Sequence, residues 1–349
     1  MLAAVVKAPN HLSAEEVPDP VIGDYDALVR IAACSFCNGT DRKLIEGKFP
    51  RIDTYPFILG HESVGKVVEV GDRVRNYKEG DWVLRPSAVY PREFTGGLAS
   101  FWGGFAQLGV VTEYVTQSRE RPNTPPLSGF YRMQQVLPRE ADPVKATTYI
   151  TLKETLSWLR KVDLKNGQSV LIMGSGPVGM AFATCAKLLG AYPVIMLGRR
   201  DERLILAYNF GVDYTINVTK EDLAEKTKKF TDGKGVDLAI DAVGDYSLIN
   251  EAAKAIASGG KIGTYGVPPS DAGSASVLEL NLSQAPRDWT LQFANPDEPA
   301  AHYEILNLVK HDFLRVEKFI THRYPLKEIT KGFDVIKRGE ALKVVITME

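Results

Sequence analysis

Apolar and polar positions change rhythm near residue 150. Before it, short alternating stretches broken by Gly and Pro run over Ala27–Ala33, Val64–Val70, Trp82–Leu84 and Val110–Val115. Alternation with period two predicts strands with one buried face, so this part predicts an irregular all-β region. The stretch Ser118–Gln135, rich in Pro, Arg and Ser, predicts a long surface loop. After residue 150 the order becomes strand, helix, strand, helix. SVLIM (169–173) is a continuous apolar run, the pattern of a strand buried on both faces. MAFATCAKLLG (180–190) has helical period and a glycine stop. PVIML (193–197), DERLILAYNFG (201–211), YTINV (214–218), EDLAEKTKKF (221–230), VDLAI (236–240), SLINEAAKAIA (247–257) and KIGTYG (261–266) continue the alternation. That order predicts a doubly wound parallel sheet, and so an α/β chain. The alternation fades after about residue 290, and KVVITME (343–349) predicts a last strand returning to the first region. The expected domains are 1–150, completed by 291–349, and 151–290.

Composition narrows the function classes. The chain has 349 residues, 44% of them hydrophobic, enough for the cores of two domains. Its net charge of −1 leaves no basic surplus to favour nucleic acid or an anionic membrane. No apolar run approaches the roughly 18 residues of a membrane span. The opening MLAAVVKAPNHLSAEEVPDP reads as a strand and a turn rather than an export signal. Three cysteines cannot form a disulfide framework, so a reducing, cytoplasmic setting is expected.

The first candidate chemistry is a nucleotide site. GSGPVG (174–179) fits G-x-G-x-x-G between a predicted strand and a predicted helix. Gly174 permits the tight turn, Gly176 lets the backbone approach a pyrophosphate, and Gly179 lets helix and strand pack closely. Pro177 and Val178 open the helix, whose free N–H groups hold phosphates. An NAD-binding chain would place an acid about 20 residues on, at the end of the second strand. Gly198 stands there, 19 residues past Gly179, followed by Arg199 and Arg200. A glycine cannot repel a 2′-phosphate, and guanidinium forks pair with one bidentately, so NADP(H) is expected over NAD(H). Asp201 reads as the cap of the next helix. Ala242, Val243 and Gly244 end one strand, and Tyr265, Gly266 and Val267 end another; both ends are expected to line the cofactor cleft. For Asp241 two roles stay open, turn-capping acid and ligand contact.

The second candidate lies in C34-S-F-C-N-G-T-D41 and GHESVGKVVEVG (60–71). A C-x-x-C spacing alone fits a redox pair, half a zinc site or a disulfide fragment. His61 and Glu62 precede an alternating strand, and Cys37 lies 24 residues upstream of His61. Thiolate, imidazole and carboxylate form a mixed donor set suited to zinc.

Taken together the chain resembles the medium-chain dehydrogenase/reductase superfamily, in its zinc-dependent alcohol and polyol dehydrogenase branch. The resemblance spans essentially the whole chain. It rests on C-x-x-C-N-G-T-D, G-H-E-x-x-G, G-S-G-P-V-G, the D-A-V-G strand end and the closing L-K-V-V-I. It implies a GroES-like irregular β domain beside a Rossmann domain, with catalytic zinc and nicotinamide in the cleft between them. It implies that Cys37 and His61 ligate zinc, that Glu62 ligates it or sits beside it, and that Thr40 relays the alcohol proton. The implied partners are a small alcohol, polyol or sugar and further copies of the chain, as homodimer or homotetramer.

Three departures qualify these expectations. The family's remaining zinc ligand, about 24 residues before the first fingerprint glycine, falls on Ile150; Glu154 lies four residues off register. No cysteines for a structural zinc stand in YPREFTGGLASFWGGFAQ (90–107). Lys43 stands where liver-type relatives end the proton relay in His. The expected activity is hydride transfer between a hydroxyl carbon and NADP(H). Its rivals are a zinc-free NADPH-dependent reductase of an activated C=C bond and a non-enzymatic NADP-binding protein. The aromatic residues Tyr90, Phe94, Phe101, Trp102 and Phe105 fall where the resemblance places a substrate wall, and packing plugs for Gly-rich turns are an equal reading.

Overall fold

The structure is a computed structural model, and it describes residues 1–50, 54–88, 94–95, 97–100, 102–121, 129–267, 280, 285–286 and 288–349. Two compact units divide the chain. One is Met1–Ile150 with His302–Glu349; the other is Thr151–Ala301.

The unit Thr151–Ala301 carries a six-stranded sheet, parallel throughout among the described residues. In space its strands run Tyr214–Asn217, Val194–Gly198, Val170–Met173, Val236–Asp241, Ile256–Thr264, Thr290–Phe293. The central strand VLIM is wholly buried, as helices on both faces of a parallel sheet require. The chain winds outward from Val170–Met173 to one edge, then restarts beside it at Val236–Asp241 and winds to the other. That reversal is a topological switch point, where open α/β sheets bind ligands at the carboxyl ends of their strands. The residues just past those two strand ends are Gly174 and Ala242.

The other unit holds two sheets. One orders its strands His11–Glu16, Leu2–Ala8, Phe57–Ile58, Leu98–Ser100, Phe94–Thr95. The other is seven-stranded, with Asp26–Ser35 at its centre, pairing antiparallel with Glu62–Val70, Leu108–Thr112 and Lys343–Thr347. The closing strand therefore returns to this unit, and the amphipathic helix Ile329–Arg338 buries Ile329, Phe333, Val335 and Ile336 in its core.

Four sequence expectations need correction. The chain re-enters the first unit at His302 rather than after residue 290, because Thr290–Phe293 forms a sixth parallel strand. That strand is only four residues long, too short to announce itself by periodicity. The strand expected over Val110–Val115 stops at Thr112, and Tyr114–Glu120 is a helix. The loop expected over Ser118–Gln135 contains the helix Gly129–Met133. Arg200, not Asp201, occupies the cap of the helix Asp201–Ala207.

Candidate active site

Backbone geometry first brings Cys37 and His61 into place. Cys37 follows the strand Asp26–Ser35, and Thr40 opens the short helix Thr40–Ile45. Asp41 closes this turn on itself. Its backbone N–H donates to the Cys37 carbonyl at 3.0 Å, and its Oδ2 accepts the Cys37 N–H at 2.8 Å. Gly60 leads into His61 with φ +106°, and a Cβ there would sit 2.5 Å from the Phe105 ring. Only glycine combines that conformation with so close an approach.

His61 is then held on three sides. Buried Arg85 donates from Nη1 to its carbonyl at 2.7 Å, and the Trp102 ring lies 5.0 Å from its own, centroid to centroid. Asp41 Oδ1 approaches its Nδ1 at 3.2 Å, an ion-pair contact without hydrogen-bond alignment. Burial pushes the His61 pKa down, but the Asp41 carboxylate and Cys37 outweigh it and hold the imidazole well above its ordinary value. Asp41 itself is completely buried.

Glu62, next in the chain, points to a different partner. It is buried, paired with the Lys343 ammonium and hydrogen-bonded by the Ser35 hydroxyl. Burial raises its pKa; Lys343, His61 and Ser35 together bring it below the usual carboxylate range.

One ligand atom from each of Cys37, His61 and Glu62 lies within 4.8 Å of the others, and this is the one such group among the described residues. A thiolate, an imidazole and a carboxylate in that space fit zinc chemically. The buried Asp41 fits too, since zinc-bound histidines lean on a carboxylate through their second nitrogen. Glu62 could join only while sharing its carboxylate with Lys343. The Thr40 hydroxyl has no hydrogen-bond partner among the described residues. Ile150 is fully buried and offers no donor atom, and the Glu154 carboxylate accepts the Tyr265 hydroxyl at 2.9 Å. Of the expected aromatic wall, Tyr90, Phe101 and the Phe94 side chain lie outside the described residues. Phe105 is buried in the core, which leaves Trp102 beside His61.

In the other unit the fingerprint glycines divide by role. A Cβ on Gly179 would fall 1.9 Å from the Gly174 carbonyl, so strand-to-helix packing requires that glycine. A Cβ on Gly176 would meet nothing within 4 Å, so the protein's own packing does not require it. Space kept free at this position is what a close-lying pyrophosphate needs. Pro177 is the first helical residue and Val178 follows it.

Asp241 binds two strand ends together. Its Oδ1 accepts the N–H groups of Val243 and Gly244 at 2.8 and 2.9 Å. Its carbonyl accepts those of Tyr265 and Gly266, both at 3.0 Å. Burial lifts its pKa against these N–H donors. Of the two open roles, this geometry is the turn-capping one. Gly244 and Gly266 are needed where the loops touch: a Cβ on Gly266 would lie 2.0 Å from the Gly244 nitrogen. Ala242 is half-buried, and Val243 and Val267 are exposed at this end of the sheet. Gly198 ends its strand, with Arg199 and Arg200 exposed after it. Asp201 is engaged by Asn217 and Lys220.

Sequence reasoning placed Asp41 only as a motif end and overlooked Arg85 and Lys343. The Asp at the end of a short turn was the one available signal. Lys343 had none, being 281 residues from Glu62.

Comparison with known proteins agrees with this picture. Residues 23–122 match the alcohol dehydrogenase GroES-like domain, and residues 177–285 match the zinc-binding dehydrogenase family. The chain is 28% identical to the D-arabitol-phosphate dehydrogenase of Enterococcus avium, over 94% of this chain and 91% of that protein. It superposes on the alcohol dehydrogenase TADH of Thermus sp. ATN1 with a TM-score of 0.80 at 26% identity, covering 99% of both chains. A zinc-binding dehydrogenase of Sinorhizobium meliloti 1021, solved bound to NADP, gives 0.79 at 25% identity, covering 99% of this chain and 98% of that one. No helix among the described residues is long and apolar enough to cross a membrane.

Proposed function

Because the chain belongs to the zinc-dependent alcohol and polyol branch of the medium-chain dehydrogenase/reductase superfamily, we propose that it moves a hydride between the hydroxyl carbon of an alcohol, polyol or sugar and NADP(H). The observation that carries the reading is the convergence of Cys37, His61 and Glu62 within 4.8 Å, with Asp41 behind His61. Cys37 and His61 would hold the metal, with Glu62 as ligand or close neighbour. Bound zinc supplies Lewis-acid polarisation of a substrate oxygen.

The chain's own residues do the rest. Asp41 fixes the imidazole so that its other nitrogen is presented to the metal. The Thr40 hydroxyl takes the alcohol proton. The strand ends at Ala242–Gly244 and Tyr265–Val267, tied through Asp241, orient the nicotinamide, and Gly174, Gly176, Pro177, Val178 and Gly179 hold the pyrophosphate. Gly198, Arg199 and Arg200 support NADP(H): no acid stands there to clash with a 2′-phosphate. Two of the relatives are a D-arabitol-phosphate dehydrogenase and an alcohol dehydrogenase, so polyols, their phosphates and alcohols come first in a screen. A homo-oligomer fits the strand Thr290–Phe293, which pairs on one side only among the described residues.

One observation favours the zinc-free reductase as second reading: Ile150 stands at the sequence position where the family carries a ligand, and Glu62 is already paired with Lys343. A single experiment separates the two. Purified protein is screened with NADP⁺ and NAD⁺ over polyols, sugars and secondary alcohols, with zinc measured on the same sample. Oxidation with NADP⁺ that tracks zinc content is expected. Metal-free protein with full activity on an enone would reject the zinc reading.

A further inference from the structure

The position where an NAD-binding chain carries its acid is filled from another direction. An ideal Cβ on Gly198 would lie 2.8 Å from the Ser175 Oγ, 3.2 Å from the Ser175 Cβ and 2.9 Å from the Leu204 Cδ2. The serine side chain therefore occupies the space beside Gly198 that a side chain there would need. An Asp or Glu at 198 therefore requires the Ser175 hydroxyl and the Leu204 methyl, both ends of flexible side chains, to shift, and crowds the Ser175 Cβ.

Ser175 lies in the turn after the strand Val170–Met173, one residue past Gly174. Its hydroxyl has no hydrogen-bond partner among the described residues, and it is half-buried rather than solvated on all sides. Arg199, the residue after Gly198, is exposed and likewise has no partner among the described residues. Burial, and after it the nearby Arg200 charge, lowers the Arg203 pKa. The nearest acid in sequence, Asp201, is taken by Lys220 and Asn217. Positive charge thus gathers after Gly198, next to a hydroxyl that has nothing to bond. A hydroxyl is a good donor to a phosphate oxygen and a poor substitute for a carboxylate accepting a ribose diol.

We infer that Ser175 is a specificity-determining residue of the cofactor site, donating its hydroxyl to the 2′-phosphate of NADP(H) while crowding, together with Leu204, the space an acid at position 198 would take. The inference rests on the NADP(H) reading proposed above. It goes further by assigning selectivity to the fingerprint loop as well as to the arginines, with one serine performing both tasks.

Equilibrium binding tests it without knowledge of the substrate. The affinities of 2′,5′-ADP and ADP, and of NADPH and NADH, are measured by titration calorimetry on four proteins: wild type, Ser175→Ala, Gly198→Asp, and Ser175→Gly with Gly198→Asp. Wild type should prefer each 2′-phosphorylated ligand. Ser175→Ala should weaken 2′,5′-ADP and NADPH about tenfold or more, the loss of a hydrogen bond to a charged group. ADP and NADH should change less than about twofold, within ordinary error of such comparisons. Gly198→Asp alone should gain little NADH affinity, and the double variant should gain it clearly. If wild type binds NADH as tightly as NADPH, the NADP(H) reading fails and this inference falls with it. If wild type prefers NADPH but Ser175→Ala loses nothing, or loses both cofactors equally, the cofactor reading stands and the role of Ser175 is refuted. The inference is likewise refuted if Gly198→Asp alone gains NADH affinity as fully as the double variant.

Discussion

Asp41 shows how one side chain can organise a candidate metal site from behind the residues that form it. It clamps Cys37 through the backbone and His61 through the ring, from a completely buried position. Asp41→Ala should therefore lower zinc affinity about ten- to hundredfold, read by competition with a chelator. Unchanged affinity would reduce Asp41 to a turn residue. The same contact makes a pH prediction. The His61 pKa is raised in the metal-free fold, so its charged contact stabilises fully below about pH 6.5, the ordinary histidine value. That contribution is lost as pH rises through the raised value. Denaturant unfolding of metal-stripped wild type and His61→Gln from about pH 5 to 9 should show the gap narrowing as pH rises. A gap that widens would mean the imidazole is neutral in the fold. Because zinc needs the neutral ring, metal affinity should move the opposite way and improve with pH.

At the scale of elements, the strand–turn–helix around GSGPVG separates folding from binding. Gly179→Ala places a methyl 1.9 Å from a carbonyl and should lower the melting temperature markedly. Gly176→Ala meets no atom within 4 Å, so the fold should hold while cofactor affinity drops, measured by calorimetry beside a thermal melt. Equal effects of the two on stability would contradict this division. The same element shows why so much was legible in the sequence. A buried parallel strand, a glycine turn and a helix are local signals, and each lies within a few residues of the next. Cys37, His61 and the fingerprint glycines are legible as candidates because they fall in such short signatures. The Thr290–Phe293 strand was not, since four residues with mixed exposure carry no period. The helix Gly129–Met133 lay in a stretch whose Pro and Ser content argues for loop, and Tyr114–Glu120 straddled that stretch and the strand expected before it. The Lys343 contact lay beyond any local pattern, because pairing between distant strands leaves no mark near either partner.

At the scale of the whole molecule, two features remain. Among the described residues the strand Thr290–Phe293 pairs on one side only, and Phe293 is 64% exposed. Open edges invite pairing with another chain. Sedimentation should find a dimer or tetramer, and Phe293→Lys should shift it to a smaller species; a monomeric wild type at micromolar concentration would refute this. The second feature is the buried Glu62–Lys343 pair, with both side chains 2% exposed. Removing the Lys343 ammonium takes from buried Glu62 its ion-pair partner and leaves it the Ser35 hydroxyl, so Lys343→Met should cost about 3–5 kcal/mol in denaturant unfolding. This pair also sets a timetable during synthesis. Glu62 leaves the ribosome early and its counter-charge 281 residues later, on the order of tens of seconds at common elongation rates. Until then Glu62 lacks its Lys343 counter-charge, while Thr151–Ala301 can already have closed its own sheet. The half that carries the fingerprint glycines can mature first, and the half that carries the candidate metal ligands is sealed by the closing strand Lys343–Thr347.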